Sequence, residues 1–216
     1  MNPRRSSPDA PDGQTVLAEA ARLGLAPGSA VGVFGGSFNP AHSGHLAVSD
    51  AARRAGLSRV AWLVSPGNPL KARDGYLPLA ERIARAEALT AGRPWLRVSG
   101  IEATMNTRYT ADTLARLSAV SRARLVWIMG ADSLAGLHRW HDWRMIASAV
   151  PMLVVSRPGQ AMAALKGPAA RALADARVAP EVVAHAAPPA WAYLHAVHDP
   201  ASATALRAQS SGTATD

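Results

Sequence analysis

The segment Gly35-Gly36-Ser37-Phe38-Asn39-Pro40-Ala41-His42-Ser43-Gly44-His45 gathers the residue types from which a phosphate site can be made. Paired glycines let a backbone approach a ligand closely and adopt positive φ. His42 and His45 stand three positions apart, so a helix beginning between them brings both imidazoles to one pocket. Such a helix start offers N–H groups and the positive end of its dipole to an anion. Imidazole donors there offset charge that builds up during displacement at phosphorus. The segment holds no nucleophile with a companion base. A structural glycine turn carrying two surface histidines would use the same residues, and what separates the two readings is the pair of elements on either side.

The element before the motif is Ala30-Val31-Gly32-Val33-Phe34, a short apolar stretch that reads as a buried strand. The element after it is an apolar-periodic helix from His45 to Ala55, with its N-terminus near Ser43 or Gly44. Further strands are expected over Arg59–Val64, Trp95–Val98, Arg124–Met129, Pro151–Val155 and about 190–195. Helices are expected over Val16–Leu23, closed by Gly24, and over Pro78–Thr90 with Pro78 near its first turn. Others are expected over Thr110–Val120, over 142–148 and, in an Ala-rich stretch, around 160–174. The alternation implies an α/β domain with a parallel sheet and helices on both faces. No repeat and no second core is visible, and 216 residues suit one such domain. Residues 1–29 read as an N-terminal extension, disordered over 1–12 and with a short helix after that. Residues 30–207 form the working domain, and 208–216 a flexible tail.

Composition narrows the class. The chain is 49% hydrophobic, yet no uninterrupted apolar run of about 18 residues exists, so no transmembrane helix and no membrane partner is expected. No apolar signal core follows the basic start Met1-Asn2-Pro3-Arg4-Arg5. The absence of cysteine excludes disulfides and thiolate metal sites and agrees with a reducing cytoplasm, the expected location. The net charge is +8 and lysine occurs only at Lys71 and Lys166. A basic surface attracts polyanions, either nucleic acid or phosphorylated small molecules. The arginines are scattered, and a general bias towards Arg and Ala accounts for them equally well.

The motif fits the pattern G-G-[ST]-F-[DN]-P-x-H-x-G-H without a departure. In this the chain resembles the H-x-G-H nucleotidyltransferases and, among them, the nicotinate-nucleotide adenylyltransferases. Four further stretches resemble that family's landmarks in the same order. They are Pro66–Lys71; Asn106–Leu114, with Tyr109-Thr110; Gly130-Ala131-Asp132-Ser133-Leu134, followed by Leu137–Trp143; and Ala201–Arg207. The last departs at Ala201 and Ala203, where Ile and Ser are usual. Taken singly, each stretch has a plainer reading: Lys71 as a surface lysine, Thr110 as a helix cap, Asp132 as a capping carboxylate. His138, His141 and Asp142 have a spacing that suits no common metal site.

The resemblance implies a Rossmann-like doubly wound sheet and adenylyl transfer from ATP to nicotinate mononucleotide. It implies catalytic roles for His42 and His45 and an ATP side made by Gly35, Gly36, Ser37, Lys71, Gly130, Asp132, Ser202, Thr204 and Arg207. The acceptor side is Phe38, Asn39, Tyr109, Thr110 and Trp140, with Trp143 in the helix core. Mg2+ is expected to arrive with ATP, without a protein metal site, and neither nucleic acid nor membrane is an expected partner. Two rival readings are another H-x-G-H enzyme, such as a pantetheine-phosphate adenylyltransferase or cytidylyltransferase, and a non-catalytic basic domain that binds nucleotide or RNA. The doubled glycine, Asp132-Ser133-Leu134 and Trp140 speak against the first, and the ordered motifs against the second. Nicotinate against nicotinamide preference and oligomeric state stay open.

Overall fold

The computed structural model describes residues 13–67, 76–156 and 164–195. The elements in order are α1 (Gly13–Arg22), β1 (Ala30–Gly36), α2 (Ser43–Arg54), β2 (Arg59–Val64), α3 (Leu79–Thr90), β3 (Leu96–Ser99), α4 (Ile101–Thr104), α5 (Thr110–Val120), β4 (Arg124–Gly130), α6 (Ala131–Gly136), α7 (Trp143–Ala149), β5 (Met152–Ser156), α8 (Pro168–Ala172) and β6 (Trp191–His195). The six strands form one sheet in the order β3-β2-β1-β4-β5-β6. Every pairing is parallel. This is the doubly wound, Rossmann-like architecture.

Alternation along the strands divides the core in two, because successive side chains point to opposite faces. Val31, Val33, Ala61, Leu63, Leu125, Trp127, Met152 and Val154 face one cluster, which is completed by Val16, Ile101, Leu114, Leu134, Ile146 and Ala169 from the helices. Phe34, Val60, Trp62, Val126, Ile128, Leu153 and Val155 face the other, completed by Val48, Ala51 and Ala52 of α2 and Ala86 of α3. Two faces buried on each central strand explain why the strands read as unbroken apolar runs.

The structure corrects several boundaries. Thr110 is the first helical residue of α5, and the cap is Tyr109, extended and without a side-chain capping bond. Pro78 caps α3 from outside the helix, in extended conformation. Among the described residues of the Ala-rich stretch, Ala164 and Leu165 are helical, a turn follows, and Pro168 opens the five-residue α8, since proline can start a helix but lacks the N–H needed to continue one. The expected disorder of 1–12, the tail 208–216 and residues 157–163 of the Ala-rich stretch lie outside the described residues. Val16 and Ala20 of α1, with Leu23 and Leu25, are buried in the first cluster, so this helix belongs to the same core. Among the described residues no helix is long and apolar enough to cross a membrane.

Candidate active site

Strand order turns back between β1 and β4, the point at which open α/β sheets leave a crevice at the carboxyl ends of their strands. Both strands end in glycine there, Gly36 and Gly130. At Gly35 a side chain is impossible without movement, since a Cβ would run into the Trp127 indole of β4.

The turn that follows is fixed from below. Phe38 has φ of 45° and the Asn39–Pro40 peptide is cis. The Phe38 ring is buried, stacked on Trp62 at 4.8 Å and 18°, with the His45 ring 4.7 Å away. Trp62 Nε1 donates to Ser49 Oγ at 2.7 Å, and Ser49 Oγ donates to the His45 carbonyl at 2.9 Å. The first turn of α2 is thus bolted to β2.

At that turn the two histidines form a reciprocal capping box. His42 Nδ1 accepts from Gly44 N–H at 3.1 Å, and His45 Nδ1 accepts from His42 N–H at 3.2 Å. A neutral imidazole has one donor and one acceptor nitrogen, so accepting at Nδ1 puts the ring proton on Nε2. The rings lie 3.9 Å apart, His42 buried and His45 half-buried. The sequence motif therefore supplies two oriented Nε2–H donors at a helix start.

Arg82, on α3, is 1% exposed and has no carboxylate partner among the described residues. Its guanidinium donates to the carbonyls of Ser37 (2.6 Å), Ser65 (2.8 Å), Leu77 (2.9 Å) and, more weakly, Pro66 (3.5 Å). It ties the turn after β1 to the loop after β2 and to the entry of α3. Burial lowers its pKa, with the Tyr76 hydroxyl opposing. Asn39 is also buried, its Oδ1 accepting from Leu77 N–H at 3.2 Å.

Beside the turn opens a cavity of about 360 Å3. Gly35, Gly36 and Ser37 line one side, Tyr109, Thr110 and Trp140 the other. The structure thus brings together six of the expected site residues from three distant segments. Phe38 and Asn39 sit under the turn, and Gly130 and Asp132 stand at the end of β4 and in the first turn of α6. Lys71, Ser202, Thr204 and Arg207 lie outside the described residues. Trp143 is buried as expected. No group of three or more His, Cys, Asp or Glu able to hold a metal occurs among the described residues.

The cavity also contains residues that sequence reasoning did not select: Glu102, Arg108, Trp127, Arg139 and His141. Trp127 meets Trp140 edge to face at 6.4 Å, and the His141 ring lies 4.3 Å from that of Tyr109. Three of the five, Arg108, Arg139 and His141, fall within the quoted landmarks, and Trp127 lies in the fourth strand. Glu102, in Ile101-Glu102-Ala103-Thr104, carries no signal of its own, and neither does Arg82 within an amphipathic helix. Glu102 is 8% exposed, and burial pushes its pKa up to about 7 against the hydrogen bond from Thr113.

Comparison with known proteins bears on the family and the fold. The cytidylyltransferase-like family model matches residues 33–209. A Rhizobium meliloti protein named "Probable nicotinate-nucleotide adenylyltransferase" is 47% identical over 188 residues, covering 85% of this chain and 100% of its own. A Bradyrhizobium protein of the same name is 50% identical over 182 residues, covering 82% and 94%. In fold, the chain resembles a Plasmodium falciparum nicotinic acid mononucleotide adenylyltransferase solved with NaAD, at a TM-score of 0.61 and 11% identity over 83% of each chain.

Proposed function

The chain belongs to the cytidylyltransferase-like family and, within it, to the nicotinate-nucleotide adenylyltransferases, and from that premise we propose how its own residues carry the reaction. The enzyme transfers an adenylyl group from ATP to nicotinate mononucleotide, giving nicotinate adenine dinucleotide and pyrophosphate, a step of NAD biosynthesis. The acceptor's phosphate oxygen attacks the α-phosphorus in line, the bond to the β-phosphate oxygen breaks, and pyrophosphate leaves. Little covalent work falls to the protein in such a transfer, which depends on positioning and charge stabilisation.

The observation that carries the assignment is the double histidine cap. With each Nδ1 held by a backbone N–H, Nε2–H of His45 and His42 donates to the α- and β-phosphate oxygens of ATP, respectively, as charge moves towards the leaving group. Gly35, Gly36 and Ser37 let the triphosphate approach the backbone. Lys71, Ser202, Thr204 and Arg207 grip the departing pyrophosphate, and Gly130 and Asp132 meet the adenosine. Tyr109, Thr110 and Trp140 receive the acceptor, with Trp140 against the electron-poor pyridine ring. Phe38 and Asn39 serve the acceptor through the turn that they support. ATP enters as its Mg2+ complex, the metal being held by phosphate oxygens. The reaction is placed in the cytoplasm.

The test is pyrophosphate release with ATP and, separately, nicotinate mononucleotide, nicotinamide mononucleotide and phosphopantetheine. Release with a pyridine mononucleotide and a loss of about 10²–10³ in kcat for His45→Ala are expected. Near-normal turnover by His45→Ala would sink the role of the histidine pair.

A further inference from the structure

Glu102 is a buried acid inside the cavity assigned to the acceptor, and the mechanism above makes no use of it. It stands on α4, at a turn that Thr107 closes by donating its backbone N–H to the Glu102 carbonyl at 2.9 Å. Of the two carboxyl oxygens, Oε1 accepts from Thr113 Oγ1 at 3.3 Å. Oε2 has no partner among the described residues, and the side chain lines the same cavity as Tyr109, Thr110 and Trp140.

Among the described residues, the charged groups around it leave Glu102 unpaired. Arg108, Tyr109, Arg139 and His141 line the cavity with it, but none forms an ion pair with Glu102. Glu19 of α1 is occupied by the hydroxyls of Ser99 and Thr104. On α5, Arg116 donates to the Met105 carbonyl at 2.7 Å, and Asp112 stands in the first turn. β1 and β4 present only Gly35, Gly36 and Trp127 to this side of the cavity. A carboxyl taken out of water without a cation holds its proton more tightly.

We propose that Glu102 reads the ring substituent of the acceptor: as a neutral acid its Oε2–H donates to a ring carboxylate, and as a carboxylate it accepts from a ring carboxamide. This rests on the acceptor site assigned above. A ring carboxylate next to an ionised Glu102 would be a like-charge pair in a low dielectric, so the acid form of the acceptor binds only with the proton in place. The carboxamide has no such requirement. The sign follows directly: Glu102 is neutral below about pH 7 and loses its proton above it, so preference for the acid acceptor is greatest at low pH.

The experiment measures kcat/KM for nicotinate and nicotinamide mononucleotide from pH 6 to 8.5 in the wild-type enzyme and in Glu102→Gln. Taking the ratio of the two acceptors cancels every group that they share, including the histidines, ATP and the acceptor phosphate. The expected ratio of acid to amide falls by up to about tenfold per pH unit above roughly 7 in the wild type, the limit for one proton, and is flat in Glu102→Gln. A flat wild-type ratio, or the same slope in both proteins, overturns the inference. If Glu102→Gln does not fold, calorimetry on the wild type in two buffers of different ionisation heat decides. Close to one proton taken up with nicotinate mononucleotide at pH 8 supports it, and none overturns it. A wild type inactive with both acceptors at every pH would overturn the acceptor reading, and this inference with it.

Discussion

His42 and His45 do at α2 what Ser, Thr or Asp does at most helix starts, and the substitution has a chemical reason. A hydroxyl or carboxylate cap ends its service once it accepts the backbone N–H. An imidazole that accepts at Nδ1 still has a second nitrogen, and the cap fixes which way it faces. The helix start between the two histidines was legible in the sequence as H-x-G-H after two glycines, because it is local, whereas the reciprocal cap was not. Trp140 was singled out through the family resemblance of Leu137–Trp143, and the structure places it on the cavity wall. Its partner Trp127 was not, since a tryptophan inside Leu125-Val126-Trp127-Ile128 reads as core until the neighbouring glycine is known. Trp140→Ala should raise KM for nicotinate mononucleotide by roughly tenfold, the scale of one aromatic contact, with KM for ATP unmoved. Steady-state kinetics with each substrate varied in turn checks this.

At the scale of elements, all six strands and most helices were readable, because apolar runs and 3.6-residue periodicity are properties of the segment itself. The short α4 and α6 were not: four and six residues do not complete a periodic pattern. Nor was the way in which loops are held to one another. Arg82 lies in a helix whose pattern makes it one polar residue among several, yet it is almost fully buried and bonded to four carbonyls in three segments. Arg82→Met removes all these donors at once, and orphaned buried carbonyls cost about 1 kcal/mol or more each. A loss of about 3 kcal/mol in stability is expected, read as a lower denaturant midpoint at unchanged slope. KM for ATP should rise as well, since Ser37 and Ser65 are no longer fixed to each other.

Over the whole molecule, the α/β class and parallel sheet followed from strand–helix alternation, whereas the integration of residues 13–25 did not. The family model begins at residue 33, but α1 and the turn after it bury Val16, Ala20, Leu23 and Leu25 against the central sheet. Leu23 is 1% exposed, so Leu23→Ala should cost about 3 kcal/mol through lost burial and the cavity left behind. A thermal melt compared with that of the exposed-site variant Leu17→Ala, which should sit near the wild type, checks it.

The two clusters on opposite faces of the sheet root different walls of the cavity. The histidine cap stands on α2, rooted in the cluster of Trp62 and Val48, while Tyr109, Thr110 and Trp140 stand on elements rooted in the cluster of Leu114 and Leu134. β1 and β4 join them, sending Val31, Val33, Leu125 and Trp127 to one cluster and Phe34, Val126 and Ile128 to the other. A repacking mutation on either face is therefore felt at both walls of the cavity, through the strands that the two faces share.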